Sequence, residues 1–432
     1  MLKRTHYTNQ LENALGKEVV LSGWVHDIRL KGGINFILLR DIEGIAQVIV
    51  DKEKSSKKLL SEIKKLHQED VIAVRGKVVE SKSKLYKFEV QVSDIEIISK
   101  SETPLPLDPR EITPSNLDTK LNWRFLFFRT NEAKAIFKIQ GKIIQAFRDF
   151  FVNRGYIEMQ PPVIISSASE GGAELFKLPY FEKTAYLAQS PQLYKQMGAI
   201  SFEKVFMIVP VFRAEKFDQP THLNEIRQMD VEQAFSDEND LMRVLEECLA
   251  YILKFVKESC EDELKILNVN LEIPKLPLKK ITYNEAINLL KEAKEKINWG
   301  DDFSKLQERK LSKLLNEIAF FIKDWPTKLK PFYAMPYENN PEISKSFDLI
   351  YKGIEIASGT QRIHDPNLLV KQIKEKGLDP KNFKFYIDCF KYGSPQHAGW
   401  SIGLERLTMS MLDRSNIKEV TMFPRTRERI SP

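Results

Sequence analysis

The first hundred residues carry the pattern that most constrains the fold, because short runs of alternating apolar and polar residues recur there five times. These runs cover residues 19–25, 36–39, 46–50, 71–79 and 88–98. The turn sequences Lys31-Gly32-Gly33 and Asp41-Ile42-Glu43-Gly44 separate the first three runs, and residues 55–66 have the period of an amphipathic helix. The pattern predicts five strands with one helix between the third and the fourth.

This order of elements is that of a five-stranded OB-fold β-barrel, and a proline-rich segment follows it. Prolines at positions 104, 106 and 109 remove backbone donors and favour extended chain. We therefore expect an OB-fold domain at residues 1–102 and a linker at residues 103–130. Residues 131–432 begin with a long helical pattern that ends near residue 153 and continue with mixed strands and helices, so we expect an α+β fold.

Composition and cysteine content narrow the class of protein. A chain of 432 residues can form two or three domains with a substantial core. Its net charge of +6 permits a polyanionic partner without requiring one. Three cysteines, Cys248, Cys260 and Cys389, lack the spacing of a metal site. We interpret them as buried or free thiols, which are typical of proteins in a reducing compartment. Since no apolar run approaches the length of a membrane span, we expect a cytoplasmic protein with no membrane partner.

Two arginine motifs in the second part of the chain indicate a nucleotide site. The first is Phe212-Arg213-Ala214-Glu215, and the second runs from Gly399 through Ser401 and Gly403 to Arg406. An arginine can neutralise charge that develops on the α-phosphate of ATP, while a neighbouring carboxylate can accept the adenine amino proton. The small residues of the second motif allow close approach to a nucleotide, and Arg406 can stack on adenine and reach the terminal phosphate.

A third motif comes earlier, where the long helical pattern ends in Phe147-Arg148-Asp149-Phe150-Phe151 and continues to Pro161-Pro162. In this order the three segments resemble motifs 1, 2 and 3 of the class II aminoacyl-tRNA synthetases, and with the OB-fold the resemblance covers nearly the whole chain. It implies a catalytic domain with an antiparallel sheet flanked by helices, and a homodimer formed through the motif 1 helix. One departure is Ser401, where motif 3 usually has a third glycine.

The resemblance is to the subclass that handles aspartate, asparagine and lysine, and to its compact archaeal type. Between motifs 2 and 3 the chain has only a small helical insertion, expected at about residues 275–324, and its terminus from Met422 to Pro432 is similar to that of the archaeal group. The resemblance implies that residues in motifs 2 and 3, and on the strands near them, contact the nucleotide. Arg213 and Arg406 are the implied catalytic residues. The implied ATP-binding residues are Arg213, Glu215, His222, Leu223, Asn224, Glu355, Gly403 and Arg406.

Charge indicates which amino acid would bind. Lys195 lies in a segment that resembles the amino-acid-binding run of the aspartyl members, and Arg362 follows Gly359-Thr360-Gln361. The β-carboxylate of aspartate needs fixed positive charge, which these two residues would supply from two sides. A lysine substrate would need carboxylates there, and asparaginyl members normally lack the lysine. The resemblance implies aspartate contacts by Glu170, Ser190, Gln192, Lys195, Arg213, Asp230, Ser358 and Arg362.

A magnesium ion bound with ATP is the implied cofactor. The implied ligands are Asp348, Glu355 and Ser358. Mg²⁺ prefers a site with few protein oxygens, in which phosphate oxygens supply further ligands. Two carboxylates seven positions apart lie on opposite faces of a straight strand. A turn around Lys352-Gly353 must therefore intervene if both are to reach one ion.

The OB-fold resembles the anticodon-binding domain of the aspartyl members, in which aromatic faces stack on splayed bases. Phe36 matches the stacking phenylalanine, Arg29 and Gln47 match residues that contact anticodon bases, and Glu89 is a further candidate. Discriminating archaeal relatives tend to carry tryptophan at the position of His26. Histidine there tends to accompany members that charge both aspartate and asparagine tRNAs.

The resemblance thus implies ATP-dependent attachment of L-aspartate to tRNA(Asp) through an aspartyl-adenylate, with tRNA(Asn) raised as a further substrate. Three alternatives stay open at this point. They are an asparaginyl-tRNA synthetase, a relative that makes asparagine through aspartyl-adenylate, and a synthetase-like RNA-binding protein without catalysis. Lys195 argues against the first, the OB-fold against the second, and the intact Arg213, Glu215, Glu355 and Arg406 against the third.

Overall fold

The computed structural model describes residues 2–30, 32–166, 175–216 and 219–432. Its contacts divide the chain into two compact units, Met1–Ser115 and Asn116–Pro432. The domain and linker boundaries expected at residues 102 and 130 stay predictions. Among the described residues, no helix combines the length and the apolar character that crossing a membrane would require.

The first unit is a closed barrel, as its alternating runs predicted. Its elements are a 3-10 helix Thr8–Ala14, β1 Glu18–Arg29, β2 Ile34–Arg40, β3 Ile45–Asp51, α1 Lys57–Ile63, β4 Val71–Glu80 and β5 Phe88–Ser99. In space the strands follow the order β1, β2, β3, β5, β4, and only β3 and β5 pair in parallel within this barrel. Alternation explains the core, since Val74 and Val78 of β4 are buried while Arg75 and Lys77 between them are exposed. The prediction of five strands with one helix after the third is confirmed.

The α-helices of the second unit include the predicted long helix, α4, and end with α12, which carries Arg406. They are α2 Leu117–Asn122, α3 Arg124–Phe127, α4 Asn131–Val152, α5 Gln192–Phe202, α6 Glu238–Ser259, α7 Glu261–Ile266, α8 Tyr283–Glu292, α9 Lys305–Leu315, α10 Pro366–Glu375, α11 Lys384–Phe390 and α12 Leu404–Met411. Short 3-10 helices cover Thr327–Leu329, Pro380–Phe383 and Ile417–Val420. In α4, Thr130 caps the first turn by accepting a hydrogen bond from the backbone N–H of Ala133.

The described strands of the second unit form one large sheet and one small one. They are β6 Ile157–Glu158, β7 Ile164–Ile165, β8 Lys177–Tyr180, β9 Lys183–Leu187, β10 Lys204–Phe212, β11 Glu225–Ala234, β12 Lys279–Thr282, β13 Ala319–Pro326, β14 Pro336–Tyr337, β15 Asn340–Tyr351, β16 Ile354–Gln361 and β17 His397–Gly403. The large sheet has the order β12, β13, β15, β16, β17, β11, β10, β6, with β14 on β15, and the small sheet has the order β7, β9, β8.

The large sheet is antiparallel through its centre, as predicted, but its two edges differ from that expectation. The edge strand β12 runs parallel to β13, and the edge strand β6 runs parallel to β10. Residues 275–324, expected to be a helical insertion, contain α8 and α9 and also supply β12 and most of β13 to the sheet. The insertion therefore carries strands as well as helices. Its two helices pack on the edge of the sheet that β12 extends.

One face of the large sheet packs against α4 and α6, which leaves the other face for polar side chains. Phe147 and Phe151 of α4 contact the fully buried Trp400 of β17, with ring centroids 6.2 Å and 5.8 Å apart. Met229 and Val231 of β11 belong to the same core. Since side chains alternate along a strand, the residues between them point to the opposite face. That face carries the candidate site.

Candidate active site

A cavity of about 300 Å³ opens on the polar face of the large sheet. It brings together predicted residues that are more than two hundred positions apart in sequence. Those that line it are Ser190, Gln192, Lys195, Arg213, Glu215, His222, Leu223, Asp230, Glu355, Ser358, Arg362, Gly403 and Arg406. Asn224 and Asp348 stand outside this lining, and Glu170 lies outside the described residues. The site assignment stays a prediction, and the contacts below show what each side chain can do.

At one end of the cavity, the two cations expected to hold aspartate already have buried carboxylate partners. Lys195 Nζ donates to Asp230 Oδ1 at 2.8 Å and lies 3.5 Å from Glu232 Oε2. Arg362 makes a bidentate pair with Glu232, with distances of 2.8 Å and 3.0 Å. All four side chains are at most 3% exposed. An added aspartate carboxylate would therefore join a compensated cluster, in which the partners fix the positions of both cations.

Glu232 is a site residue that the sequence analysis missed. Burial alone would raise its pKa, but Arg362 and Lys195 hold the pKa of Glu232 below the usual range. The same carboxylate raises the pKa of Arg362, although burial acts in the opposite direction. A signal was available, because Asp230 and Glu232 are two positions apart on one strand and must share a face.

A chain of buried hydrogen bonds fixes the orientation of Gln192. Its Nε2 donates to Gln196 Oε1 at 2.7 Å, which also accepts from the Tyr386 hydroxyl at 2.7 Å. Gln196 Nε2 lies 2.9 Å from His397 Nε2, and His397 Nδ1 lies 2.9 Å from the carbonyl of Pro395. A carbonyl can only accept, so Nδ1 donates and Nε2 accepts. Gln192 thereby offers its Oε1 to a ligand in the cavity, which suits an α-ammonium group.

Ser401, the departure from motif 3, points toward the site. Its hydroxyl donates to Asp230 Oδ2 at 3.1 Å, while Lys195 occupies Oδ1. A glycine could not make this contact. The extra side chain is accommodated because it becomes a partner of a buried carboxylate, and it orients Asp230 together with Lys195.

The other end of the cavity carries Arg213, His222, Glu355 and Arg406. Arg406 Nη1 donates to the carbonyl of Glu355 at 3.1 Å and lies 3.8 Å from its carboxylate. Burial lowers the pKa of His222 to about 4, with a smaller contribution from the positive charge of Arg406. The ring of His222 is therefore neutral near pH 7. A neutral imidazole beside several cations can contact a nucleotide without adding repulsion to them.

Asn224 does not face the cavity, because its side chain is used to shape motif 2. Its Nδ2 donates to the carbonyls of Arg213 and Glu215 at 2.7 Å and 3.0 Å. These bonds hold the chain where β10 ends and keep the two motif 2 side chains beside one another, with Arg213 Nη1 3.9 Å from Glu215 Oε1. A hydrogen bond donated to ATP by Asn224 Nδ2 would require breaking one of them.

The turn that the metal hypothesis required is present between β15 and β16. Tyr351 pairs with Ile354 across a two-residue turn in which Lys352 and Gly353 have φ of 49° and 72°. Glu355 and Ser358 line the cavity, whereas the Asp348 oxygens lie 3.0 Å and 2.7 Å from Lys330 Nζ. Two oxygen ligands beside space for phosphate oxygens fit Mg²⁺, so Glu355 and Ser358 can hold the implied ion. Among the described residues, no group of three or more Asp, Glu, His or Cys side chains is placed to hold a metal ion.

On the barrel, a separate cavity of about 840 Å³ gathers most of the predicted anticodon residues. Arg29, Phe36, Gln47 and Glu89 line it. Gln47 Nε2 donates to Glu89 Oε2 at 2.5 Å, so these two side chains orient each other. The sequence analysis missed a group from the segment between β4 and β5, because turn residues give no periodic signal. This group is Lys82, Leu85 and Tyr86.

His26 is not part of the lining of that cavity. It lies on β1 beside Arg40, whose Nη1 is 3.0 Å from His26 Nδ1 and whose Nη2 donates to Glu69 at 2.8 Å. Arginine can only donate, so Nδ1 accepts and the ring proton sits on Nε2. Burial and Arg40 lower the pKa of His26, which keeps this ring neutral.

Comparison with known proteins gives matches over nearly all of the chain. Residues 116–427 match the family model of class II tRNA synthetases for aspartate, lysine and asparagine, and residues 19–98 match the model of the OB-fold nucleic acid binding domain. The aspartate–tRNA(Asp/Asn) ligase of Methanocaldococcus jannaschii is 45% identical, with 100% of this chain and 98% of that protein covered. The aspartate–tRNA(Asp) ligase of Pyrococcus horikoshii is 47% identical, with 99% and 100% covered.

Solved structures match over the same extent. The asparaginyl-tRNA synthetase of Pyrococcus horikoshii complexed with asparaginyl-adenylate is 33% identical with a TM-score of 0.94, and each chain is covered completely. The aspartyl-tRNA synthetase of Entamoeba histolytica is also 33% identical, with a TM-score of 0.87 and coverage of 100% of this chain and 93% of that one.

Proposed function

The chain belongs to the class II tRNA synthetases for aspartate, lysine and asparagine, and we propose that it attaches L-aspartate to tRNA with ATP as the activating substrate. The observation that carries this choice is the pair of buried cations, Lys195 and Arg362, at one end of the cavity. A carboxylate gains from both cations, whereas the neutral amide of asparagine gains much less. The ammonium group of a lysine side chain would be repelled.

The arrangement supports a two-step reaction. The α-carboxylate of aspartate attacks the α-phosphate of ATP in line, a new P–O bond forms, and pyrophosphate leaves. Arg213 would hold the attacking carboxylate and neutralise charge on the α-phosphate, and Arg406 would contact the phosphates that leave. A magnesium ion on Glu355 and Ser358 would supply positive charge to the phosphate oxygens. In the second step a hydroxyl of the terminal adenosine of tRNA attacks the acyl carbon, and AMP leaves.

Exchange of radioactive pyrophosphate into ATP tests the amino-acid choice without any tRNA. We expect exchange with aspartate and at least a hundredfold less with asparagine or lysine, since the site discriminates by a charge, and about 3 kcal/mol corresponds to that ratio. Preference for asparagine would make the chain an asparaginyl enzyme. Absence of exchange with every amino acid would revive the hypothesis of an inactive RNA-binding protein.

We also propose that both tRNA(Asp) and tRNA(Asn) are charged. Their anticodons differ at the third base, cytosine in one and uracil in the other, and both bases carry a carbonyl at position 2. With its Nδ1 on Arg40, His26 offers an Nε2 donor that such a carbonyl could accept in either case. The relative from Methanocaldococcus jannaschii is named for both tRNAs and the one from Pyrococcus horikoshii for tRNA(Asp) alone, so the family contains both behaviours.

Charging of the two purified tRNAs with aspartate tests this proposal. We expect rates for the two within about tenfold, and replacement of His26 by tryptophan should slow tRNA(Asn) more than tRNA(Asp). A good base contact discriminates by roughly 1 to 3 kcal/mol, or one to two decades. A wild-type preference for tRNA(Asp) above about a thousandfold would show that His26 does not govern the choice.

We also propose an oligomeric state and a location in the cell. A homodimer through the motif 1 helix fits the exposed apolar side chains near the two ends of α4, namely Phe125, Val152 and Ile157. Cytoplasmic localisation fits three cysteines that carry no disulfide in the structure. Sedimentation of the purified protein at micromolar concentration would test the dimer, for which a mass of twice the 50.2 kDa chain is expected.

A further inference from the structure

Lys330 lines the active-site cavity, and the function proposed above gives it no role. It follows the 3-10 helix Thr327–Leu329 and is carried by the segment that connects β13 to β14. Its side chain is 13% exposed, so the structure holds it in a defined place near the surface of the cavity. A lysine held in this way, in the same cavity as the Glu355 that would bind a metal, needs a chemical explanation.

The ammonium group of Lys330 is fixed from two sides. Its Nζ lies 3.0 Å and 2.7 Å from the two carboxylate oxygens of Asp348 and 4.1 Å from the ring centroid of Trp325. Asp348 and Trp325 are both buried, and the Trp325 indole N–H donates to the carbonyl of Ile322 at 3.1 Å, which fixes the ring. An ammonium group has three protons. Asp348 can accept two, and the third remains for a ligand in the cavity.

Lys330 acts at the nucleotide end of the cavity. Lys330, Arg213 and Arg406 line the same cavity as Glu355. Arg406 Nη1 lies 3.8 Å and Lys305 Nζ lies 3.7 Å from Glu355 Oε2. Four cations therefore lie in or beside this end of the cavity. Such a concentration of positive charge suits a polyphosphate, because each terminal phosphate oxygen can accept from an ammonium or guanidinium group.

Asp348 differs from Glu355 and Ser358 in its contacts. It pairs with Ser358 across the hairpin but does not line the cavity, and both of its oxygens accept hydrogen bonds from Lys330. A metal ion bound to Asp348 would therefore lie beside the ammonium group of Lys330, and the two positive charges would repel each other. The resemblance implied a metal-binding role for Asp348, and the geometry favours a different one.

We propose that Lys330 binds the polyphosphate of ATP, and that Asp348 is a positioning residue that aims Lys330 at it. The divalent ion is then held by Glu355, Ser358 and phosphate oxygens. The inference rests on the proposed ATP site and assigns it a cation and a positioning carboxylate. In this arrangement the buried pair of Lys330 and Asp348 persists when ATP is bound, and only the third proton of the ammonium changes its partner.

Calorimetric titration with ATP and Mg²⁺, in the absence of amino acid and tRNA, tests the role of Lys330. Lys330→Met should weaken ATP binding by about tenfold or more, the size of one charged hydrogen bond. Lys328→Met, a change of an exposed lysine two positions away, should leave it within twofold. The double variant Lys330→Met/Asp348→Asn should bind ATP no more weakly than Lys330→Met alone, because Asp348 acts through Lys330. ATP affinity unchanged in Lys330→Met would overturn the proposal.

Manganese binding measured by electron paramagnetic resonance at saturating ATP tests the role of Asp348. Asp348→Asn should retain the wild-type Mn²⁺ affinity within about twofold, whereas Glu355→Gln should lose at least tenfold. Equal losses in the two variants would make Asp348 a metal ligand and refute its positioning role. The double variant removes both charges of the buried pair, so it should fold even if Asp348→Asn alone leaves an unpaired lysine and does not.

These measurements are separate from the test of the proposed function. If the wild-type protein binds ATP but activates an amino acid other than aspartate, the function is wrong while the roles of Lys330 and Asp348 are still decided by the titrations. If the wild type activates aspartate and Lys330→Met binds ATP normally, only the present inference fails.

Discussion

At the scale of single residues, the site is organised by buried charges that hold one another in place. Lys195, Arg362, Asp230 and Glu232 form three ion pairs with almost no exposure, and Ser401 adds a hydrogen bond to Asp230. Burying one of these charges alone would be strongly unfavourable, so each side chain depends on its partners. The cluster can accept a zwitterionic substrate because both signs of charge are already fixed around it.

Replacing Lys195 by methionine should therefore damage aspartate activation far more than ATP binding. Removing one member of a buried pair costs on the order of 2 to 5 kcal/mol, much of it from the carboxylate left behind. The KM for aspartate in pyrophosphate exchange should rise or kcat should fall by more than tenfold, while the KM for ATP changes less than threefold. Lys254→Met, on the exposed face of α6, is the matched control. Wild-type parameters for aspartate would show that Lys195 is not in the amino-acid site.

Glu405 should make stability depend on pH. Burial raises its pKa to about 7 from an ordinary value of 4.5, while the backbone N–H of Arg227 favours the ionised form. A raised folded-state pKa means that the stabilisation is complete below about pH 4.5 and is lost as pH rises through about 7. The loss is on the order of 3 kcal/mol, from 1.36 kcal/mol per unit.

The glutamine of Glu405→Gln cannot ionise. The free energy of unfolding of this variant, relative to that of the wild type, should therefore be higher at pH 8 than at pH 5. Urea unfolding of both proteins at these two values measures the difference. The exposed Glu258→Gln should show no such change. A constant difference between wild type and Glu405→Gln at both pH values would contradict the assignment.

At the scale of elements, the pleat and the turns decide which side chains meet in the cavity. The hairpin of β15 and β16 brings Glu355 and Ser358 to the cavity through two backbone features. Its two-residue turn has positive φ, and an irregularity opposite Leu349 and Ile350 inserts one extra residue between Glu355 and Ala357. A longer or shorter turn would change the register, and a shift of one residue would move these side chains to the opposite face. The metal-binding prediction thus depends on a backbone feature as much as on two oxygen ligands.

Gly353→Ala should weaken magnesium use. The new Cβ would lie 3.0 Å from Cα of Arg309, and a left-handed alanine costs about 1 to 2 kcal/mol by itself. The magnesium concentration for half-maximal exchange should rise several-fold because the strand that carries Glu355 shifts. Gly377→Ala has φ of +73° but no atom within 4 Å of the new Cβ, so it should lose stability without changing the magnesium requirement. Identical magnesium curves for the two variants would refute the prediction.

Sequence periodicity predicted these elements well but not the partners inside the site. The alternation in β4 and the helical period of α4 identify which side chains are buried, because each follows from a local repeat. The pairing of Arg362 with Glu232 joins two residues that are 130 positions apart in sequence. The contact between Gln196 and His397 spans 201 positions. No local repeat encodes such contacts. They emerge only when the order of strands in the sheet is known.

At the scale of the whole molecule, we expect the two units to carry separable tasks. The barrel cavity with Phe36 is expected to bind the anticodon, and the cavity of the second unit is expected to form the adenylate. Base stacking and charge neutralisation are different kinds of interaction, so substitutions in one unit should leave the chemistry of the other largely intact.

A paired set of variants tests this separation. Arg213→Ala and Arg406→Ala should abolish pyrophosphate exchange and leave the affinity for tRNA(Asp) within about threefold. Phe36→Ala should leave exchange unchanged and weaken tRNA binding by roughly 1 to 3 kcal/mol, the contribution of one stacked base. Ile42→Ala, another exposed apolar side chain of the barrel, is the control and should change neither. If the arginine variants lose tRNA affinity as steeply as exchange, those arginines have been assigned to the wrong task.

If this protein forms an aspartyl ester on tRNA, the ester itself can be detected. The wild-type protein is incubated with ATP, magnesium, tRNA(Asp) and equal concentrations of aspartate and asparagine, and ribonuclease then releases the terminal adenosine for mass spectrometry. Aspartyl-adenosine is the predicted product, and asparaginyl-adenosine should remain below about one per cent of it, consistent with roughly 3 kcal/mol of discrimination. Asparaginyl-adenosine as the main product, or adenosine without any ester, would contradict the proposed function.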